Sequence, residues 1–160
     1  MRTKFFYNSF FIIIFFLLTY CKADDKSMKV IIFNKSAESE VILNDENIKD
    51  VKKILLELLL KTDDMMRVYF DSASIDEIKQ TEKCIEIIFN KAEHLNTGFL
   101  GEVTLNKILL PISGDFKPTE KMDIVTIIIG ENDYTSGPLT ASGGLKLIQE
   151  LEQIVFQDKR

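Results

Sequence analysis

An α+β fold is predicted: an antiparallel sheet of about four to six strands, with two main helices and one short helix packed on it. Short runs rich in β-branched and aromatic residues recur between residues 28 and 129, joined by brief polar connections. That spacing suits a meander better than βαβ units. Two other segments, residues 45–61 and 142–156, carry their apolar residues three and four apart, which is the period of an amphipathic helix. All seven glycines and all three prolines lie at or after Gly98, so regular elements are expected in the first half and shaped loops in the second.

Residues 28–33 (Met-Lys-Val-Ile-Ile-Phe) read as a buried strand, and residues 40–43 are expected to return beside it across a polar turn at 34–39. Asn44-Asp45-Glu46 then supplies a helix start, with a short side chain to cap free N–H groups and acids at the positive end of the dipole. Ile48, Val51, Leu55, Leu58 and Leu59 form the stripe of a helix reaching about Lys61. Leu56 and Leu60 widen that stripe, so cover on more than one side is expected. Residues 65–70 are predicted as a strand. Ser74-Ile75-Asp76-Glu77 has the spacing of a capping box and is expected to open a short helix to about Gln80. Further strands are predicted at 84–90, 103–112 and 124–129. The last is nearly all β-branched and belongs near the middle of a sheet. The final helix, 142–156, turns Leu145, Ile148, Leu151, Ile154 and Val155 inward, and the helices are expected on one face of the sheet.

Hydrophobic residues make up 46% of the 160, but they are unevenly placed. The first 21 positions hold six of the twelve phenylalanines, and without them the remaining 139 residues are about 42% hydrophobic, ordinary for a soluble domain. Arg2 and Lys4 precede an apolar run from Phe5 to Tyr20, the charged and hydrophobic regions of a secretory signal. As a helix those 16 residues would reach roughly 24 Å, short of a hydrocarbon core of about 30 Å, so a spanning anchor is the weaker reading.

The run ends in Leu18-Thr19-Tyr20-Cys21, which resembles the lipobox of bacterial lipoprotein precursors, in the looser form found among spirochaetes. Leu18 and Thr19 match the family's usual residues, while Tyr20 stands where the family favours a small one. The resemblance implies diacylglyceryl transfer to the Cys21 thiol and cleavage just before it. It covers the first 21 residues only. Ordinary signal cleavage after Ala23 is the alternative, giving a secreted or periplasmic chain. The expected organisation is a signal peptide at 1–20, a lipidated Cys21 with a short polar tether at 21–27, and one α+β domain at 28–160.

After residue 21 there are 18 Lys and Arg against 25 Asp and Glu, a net charge of −7 with the signs interspersed. No nucleic-acid partner is expected of such a surface. Motifs for nucleotides, zinc, calcium and nucleophile elbows are absent from the sequence, and no cofactor or metal is expected. Cys84 reads as a small buried hydrophobe, His94 as an exposed residue in a connection between strands, and Asp63-Asp64 as a solvated turn.

The most informative stretch is residues 130–144, long for a connection in a compact domain. Asp133, Tyr134 and Ser136 could form a ligand or partner loop. Ser142 and Gly143 would open a helix whose free N–H groups suit a carboxylate or phosphate, with Thr140 or Ser142 as the cap in the purely structural reading. The expected function is a non-enzymatic, lipid-anchored envelope module. It would bind an unknown protein or small ligand through the loops at 96–101, 113–122 and 131–140. Two alternatives stand: an inhibitor or immunity-like protein, or a small enzyme using carboxylates such as Glu131 and Asp133.

Overall fold

The computed structural model describes residues 27–134 and 137–157; the leader, Cys21 and Ser136 lie outside them. The described elements run β1 (Met28–Asn34), β2 (Ala37–Val41), α1 (Asp45–Leu60), β3 (Thr62–Met65), α2 (Ser72–Thr81), β4 (Lys83–Thr97), β5 (Gly101–Pro111), β6 (Ile124–Gly130), β7 (Leu139–Ser142) and α3 (Leu145–Gln157). The fold is α+β: three helices and one open antiparallel sheet with strand order β2-β1-β4-β5-β6-β7-β3. Seven strands form among the described residues, where about four to six were expected.

Alternation along the central strands sends two sets of side chains to opposite faces. Ile85 and Ile87 of β4, Ile108 and Leu110 of β5, and Val125 and Ile127 of β6 join a core with Leu55, Leu58 and Leu59 of α1 and Ile148 and Leu151 of α3. Their neighbours Cys84, Leu109 and Ile128 point the other way. They meet Phe70 and, from α2, Ile75 and Ile78. The short helix therefore sits on the face opposite α1 and α3, not beside them as expected. The sequence reading missed this because α2 carries just two buried apolar residues, too few to mark a face.

Each helix start has an identifiable cap. Asn44 Oδ1 accepts from Asn47 N at 2.8 Å, as its residue type predicts. In α2 the cap is Asp71, which accepts from both the backbone and the hydroxyl of Ser74, so the Ser74–Glu77 capping box does not form. Those bonds, the hydroxyl's first, hold the Asp71 carboxyl below its usual range. The β1–β2 turn is tighter than expected. Lys35 and Ser36 both adopt positive φ, 49° and 69°, as a two-residue hairpin demands.

Of the strand expected at 65–70 only Met65 is paired, as the last residue of β3. Pairing to β7 begins at Thr62 and ends at Met65, Tyr69 is exposed, and Phe70 plugs the smaller core. Its ring meets Phe116 edge-on at 5.1 Å between centroids. The 130–144 connection contains β7, so its irregular part is shorter than the sequence suggests. His94 lies within β4, which is longer than predicted. A register shift between Ile88 and Glu93 bends the β4–β5 hairpin, and its far end bridges to α1 through the Lys52–Glu93 pair at 3.0 Å. At the hairpin's tip Gly98 N–H donates to Leu59 O at 2.9 Å. A Cβ on Gly98 would lie 2.3 Å from Thr62 O and 2.5 Å from Leu60 O, so only glycine fits. α1 is thus covered on two sides, but Leu56 is only half-buried and Leu60 is exposed.

Candidate functional site

Glu86 stands in β4 between Ile85 and Ile87, which point into the larger core, so alternation turns it towards α2. Once α2 is laid over that face, the carboxylate is 4% exposed and must find partners inside the protein. Two arrive from distant parts of the chain. Lys79, on the inner side of α2, places Nζ 2.6 Å from Glu86 Oε1, and Tyr134, just after β6, donates its hydroxyl to the same oxygen at 2.5 Å. The Lys79 ammonium also lies over two rings, 4.9 Å from the Phe33 centroid and 5.5 Å from that of Tyr134. Lys107, from β5, covers Tyr134 at 4.9 Å and donates to Asn132 O.

These groups border a cavity of about 150 Å³, lined also by Ser72, Ile75, Asp76 and Asp133. Its volume admits a few waters or one small polar group. The two lysines and three acids make the lining polar and slightly negative. Burial, followed by the charge of Glu86, pushes the Tyr134 phenol strongly upward, so it stays a neutral donor and cannot act as a base near neutrality. Burial likewise pushes the Cys84 thiol up to about 12, which makes it a poor nucleophile. A neighbouring depression, about 340 Å³, continues past Lys79 to Phe33, Ser36 and Glu38. A further groove of about 350 Å³ runs between α1 and α3. Asp50, Lys53, Glu57 and Glu150 edge it, and Ile54, Leu147 and Ile154 form its floor.

The structure brings Asp133 and Tyr134 together at the α2-side cavity and separates them from Ser142 and Gly143. The latter two lie at the far end of the β6–β7 hairpin, where Ser142 pairs with Ile124. The helix start there is already served. Asp123, at φ 48°, accepts Leu145 N–H on Oδ1 at 2.8 Å and Gly143 N–H on its carbonyl at 2.7 Å. A carboxylate occupies this helix start, but it belongs to the chain itself and not to a ligand. Neither Thr140 nor Ser142 is the group that receives the Leu145 amide.

His94 is exposed, with Nδ1 3.0 Å from Thr104 Oγ1 and 3.9 Å from Glu102. Asp63 and Asp64 are exposed on β3, and no cluster of three metal-ligating side chains occurs among the described residues. Of the three candidate loops, two approach the α2 face: Phe116 of 113–122 and Tyr134 of 131–134 both pack on the smaller core. The third, at 96–101, is the hairpin tip beside α1. Glu86, Lys79, Lys107 and Asp123 escaped the sequence reading. A lone Glu in an apolar strand was the one available signal, and alternation alone reads it as solvent-facing. No protein-family model, no curated protein and no solved structure matches the chain.

Proposed function

We propose that the chain is an exported envelope protein, held at a membrane by acylation of Cys21, and that its α+β domain binds a partner without catalysing a reaction. The observation that carries this reading is the leader: two cations, an apolar run and then Leu18-Thr19-Tyr20-Cys21. Among the described residues no helix is long and apolar enough to cross a membrane, and the reading requires none. Two or more acyl chains on Cys21 would suffice for stable anchoring.

The non-catalytic half is supported by how the reactive groups are engaged. Glu86 is tied to Lys79 and Tyr134, and the Cys84 thiol is buried among apolar groups. An acid or base that drives chemistry must reach a substrate proton. The α2-side cavity, with Ser72, Asp76, Lys107 and Asp133 at its lining, is the place where a polar group of a ligand or partner would seat.

Metabolic labelling with palmitate, comparing wild type with Cys21→Ala, tests the anchor. Label in the wild type alone is expected, and equal labelling or none in either removes the lipoprotein reading. Mass spectrometry of the mature N-terminus separates acylated Cys21 from a free Asp24 start. For the binding half, in-cell cross-linking should recover a partner with wild type and lose it with Lys107→Glu. Identical cross-links in both would exclude the cavity.

A further inference from the structure

At the β4–β5 tip, Phe99 and Leu100 are 45% and 46% exposed, and Leu60, at the end of the helix that abuts the tip, is 59% exposed. Exposed large apolar side chains cost little singly, but three brought together at one extremity form a patch that calls for a partner. Three backbone amides beneath them are already paired. Gly98 N–H donates to Leu59 O at 2.9 Å, Phe99 N–H to Thr62 Oγ1 at 3.2 Å and Leu100 N–H to Thr97 Oγ1 at 2.9 Å. Thr97 and Thr62 are themselves buried, so these bonds are sheltered. A turn whose amides are paired internally can leave water without orphaning donors, which is the condition for entering a lipid interface.

The position of the tether fits the same occupant. Asn90 N–H donates to Ser27 O at 3.2 Å, so the chain leading back to Cys21 departs beside the bend of β4. Gly98 is eight residues further along that strand, about 27 Å at most. Six residues, 21–26, could span about 20 Å at most, so a lipid on Cys21 and the hairpin tip would meet one plane with the β4–β5 hairpin inclined to it. Lys61 and Glu102 flank the tip with opposite charges, and the exposed Asp63 and Asp64 follow Thr62 along β3.

We propose that the tip, Phe99 and Leu100 with Leu60 beside it, is a second membrane contact that rests in the bilayer interface while the chain is tethered through Cys21. The inference rests on the anchored reading above. It restricts the domain's orientation, because a lipid and a hairpin tip are two separate points of attachment.

The chain contains no tryptophan, so one introduced at the tip is the sole indole reporter. Full-length Phe99→Trp, isolated from membranes of the expressing cells, is reconstituted into phosphatidylcholine–phosphatidylglycerol vesicles with or without bromine on the acyl chains. Leu100→Trp is a second reporter should Phe99→Trp fail to fold, and Tyr69→Trp, exposed on the loop leading to α2, is the comparison. Blue-shifted emission quenched by brominated lipid at the tip, with Tyr69→Trp unquenched, is the expected result. Water-like, unquenched emission at the tip of a protein that floats with the vesicles overturns the proposal and leaves the anchor standing. A blue shift without bromine quenching means that protein, such as a second copy, covers the tip, and this overturns the proposal too. Equal quenching at Tyr69→Trp does the same. Protein that fails to float and carries no acyl mass on Cys21 sinks the anchored reading and the tip contact together.

Discussion

The two faces of the sheet solve different problems. Under α1 and α3, leucine, isoleucine and valine fill the core; the stripe of α1 is legible from its spacing in the sequence, whereas Ile54, Leu147 and the β7 residues Leu139 and Ala141 are not, and Leu145, expected inward, is only half-buried. Under α2 the apolar cluster is small, and a buried carboxylate with its two partners completes the packing. A face covered by two long helices can be stabilised by apolar area alone. One covered by ten residues of helix and three loops leaves room for polar groups, which must then be matched to one another.

The comparison is sharpened first where the effect is greatest. Leu58→Ala empties a fully buried position beneath α1 and should cost about 4 kcal/mol in urea unfolding; a loss under 1 kcal/mol would mean that this face is not the principal core. Lys79→Met leaves Glu86 buried beside Tyr134 alone, with an expected cost of about 3 kcal/mol. Adding Glu86→Leu should recover most of that loss, and a double variant no better than the single would show that the pair is not energetically coupled. Tyr134→Phe removes one donor to a charged acceptor, and about 2 kcal/mol is expected by the same measurement.

Alkaline pH should weaken the α2 face selectively. The Cys84 thiol and Tyr134 phenol are both held neutral in the fold, above their ordinary values of 9.0 and 10.0. The unfolded chain therefore releases these protons first. Stability is complete below about pH 9 and falls as pH rises towards 12, by about 1.4 kcal/mol per pH unit for each group released. Urea midpoints between pH 8 and 11 should show Cys84→Ala flattening the fall from about pH 9 and Tyr134→Phe flattening it above 10. Parallel curves for all three proteins would contradict the assignment. The smallest expected effect lies at the start of α3. Asp123→Ala loses the cap on Leu145 and should cost about 1 kcal/mol, while Asp123→Asn keeps the acceptor and the positive φ and should cost much less.

What the sequence discloses follows the same division. β1, α1, β6 and α3 were legible because each carries a strong period or an unbroken β-branched run, and local pattern decides their burial. The span 65–70 misled because Phe70 is apolar for the sake of Phe116, forty-six residues away, and pairing to β7 decides where β3 stops. Asp133 and Tyr134 were legible as loop residues, but their setting was not. Tyr134 meets Glu86 across forty-eight residues, and nothing local to either announces the other. Asp123 is the same case: a helix start was recognised from Ser142 and the glycines, while its anion comes from a loop twenty-two residues earlier.

The edges of the open sheet have a consequence for how copies of the chain meet one another. Exposed strand edges invite neighbouring copies to add on, and β2 and β3, five and four residues long, are the two edges here. Glu38 and Glu40 lie along one, and Asp63 and Asp64 along the other. Any copy that docked edge to edge, by like or unlike strands, would bring carboxylates against carboxylates over a very short ladder. Edge-to-edge docking of copies is thereby disfavoured, and the sheet can stay open without becoming a ready template.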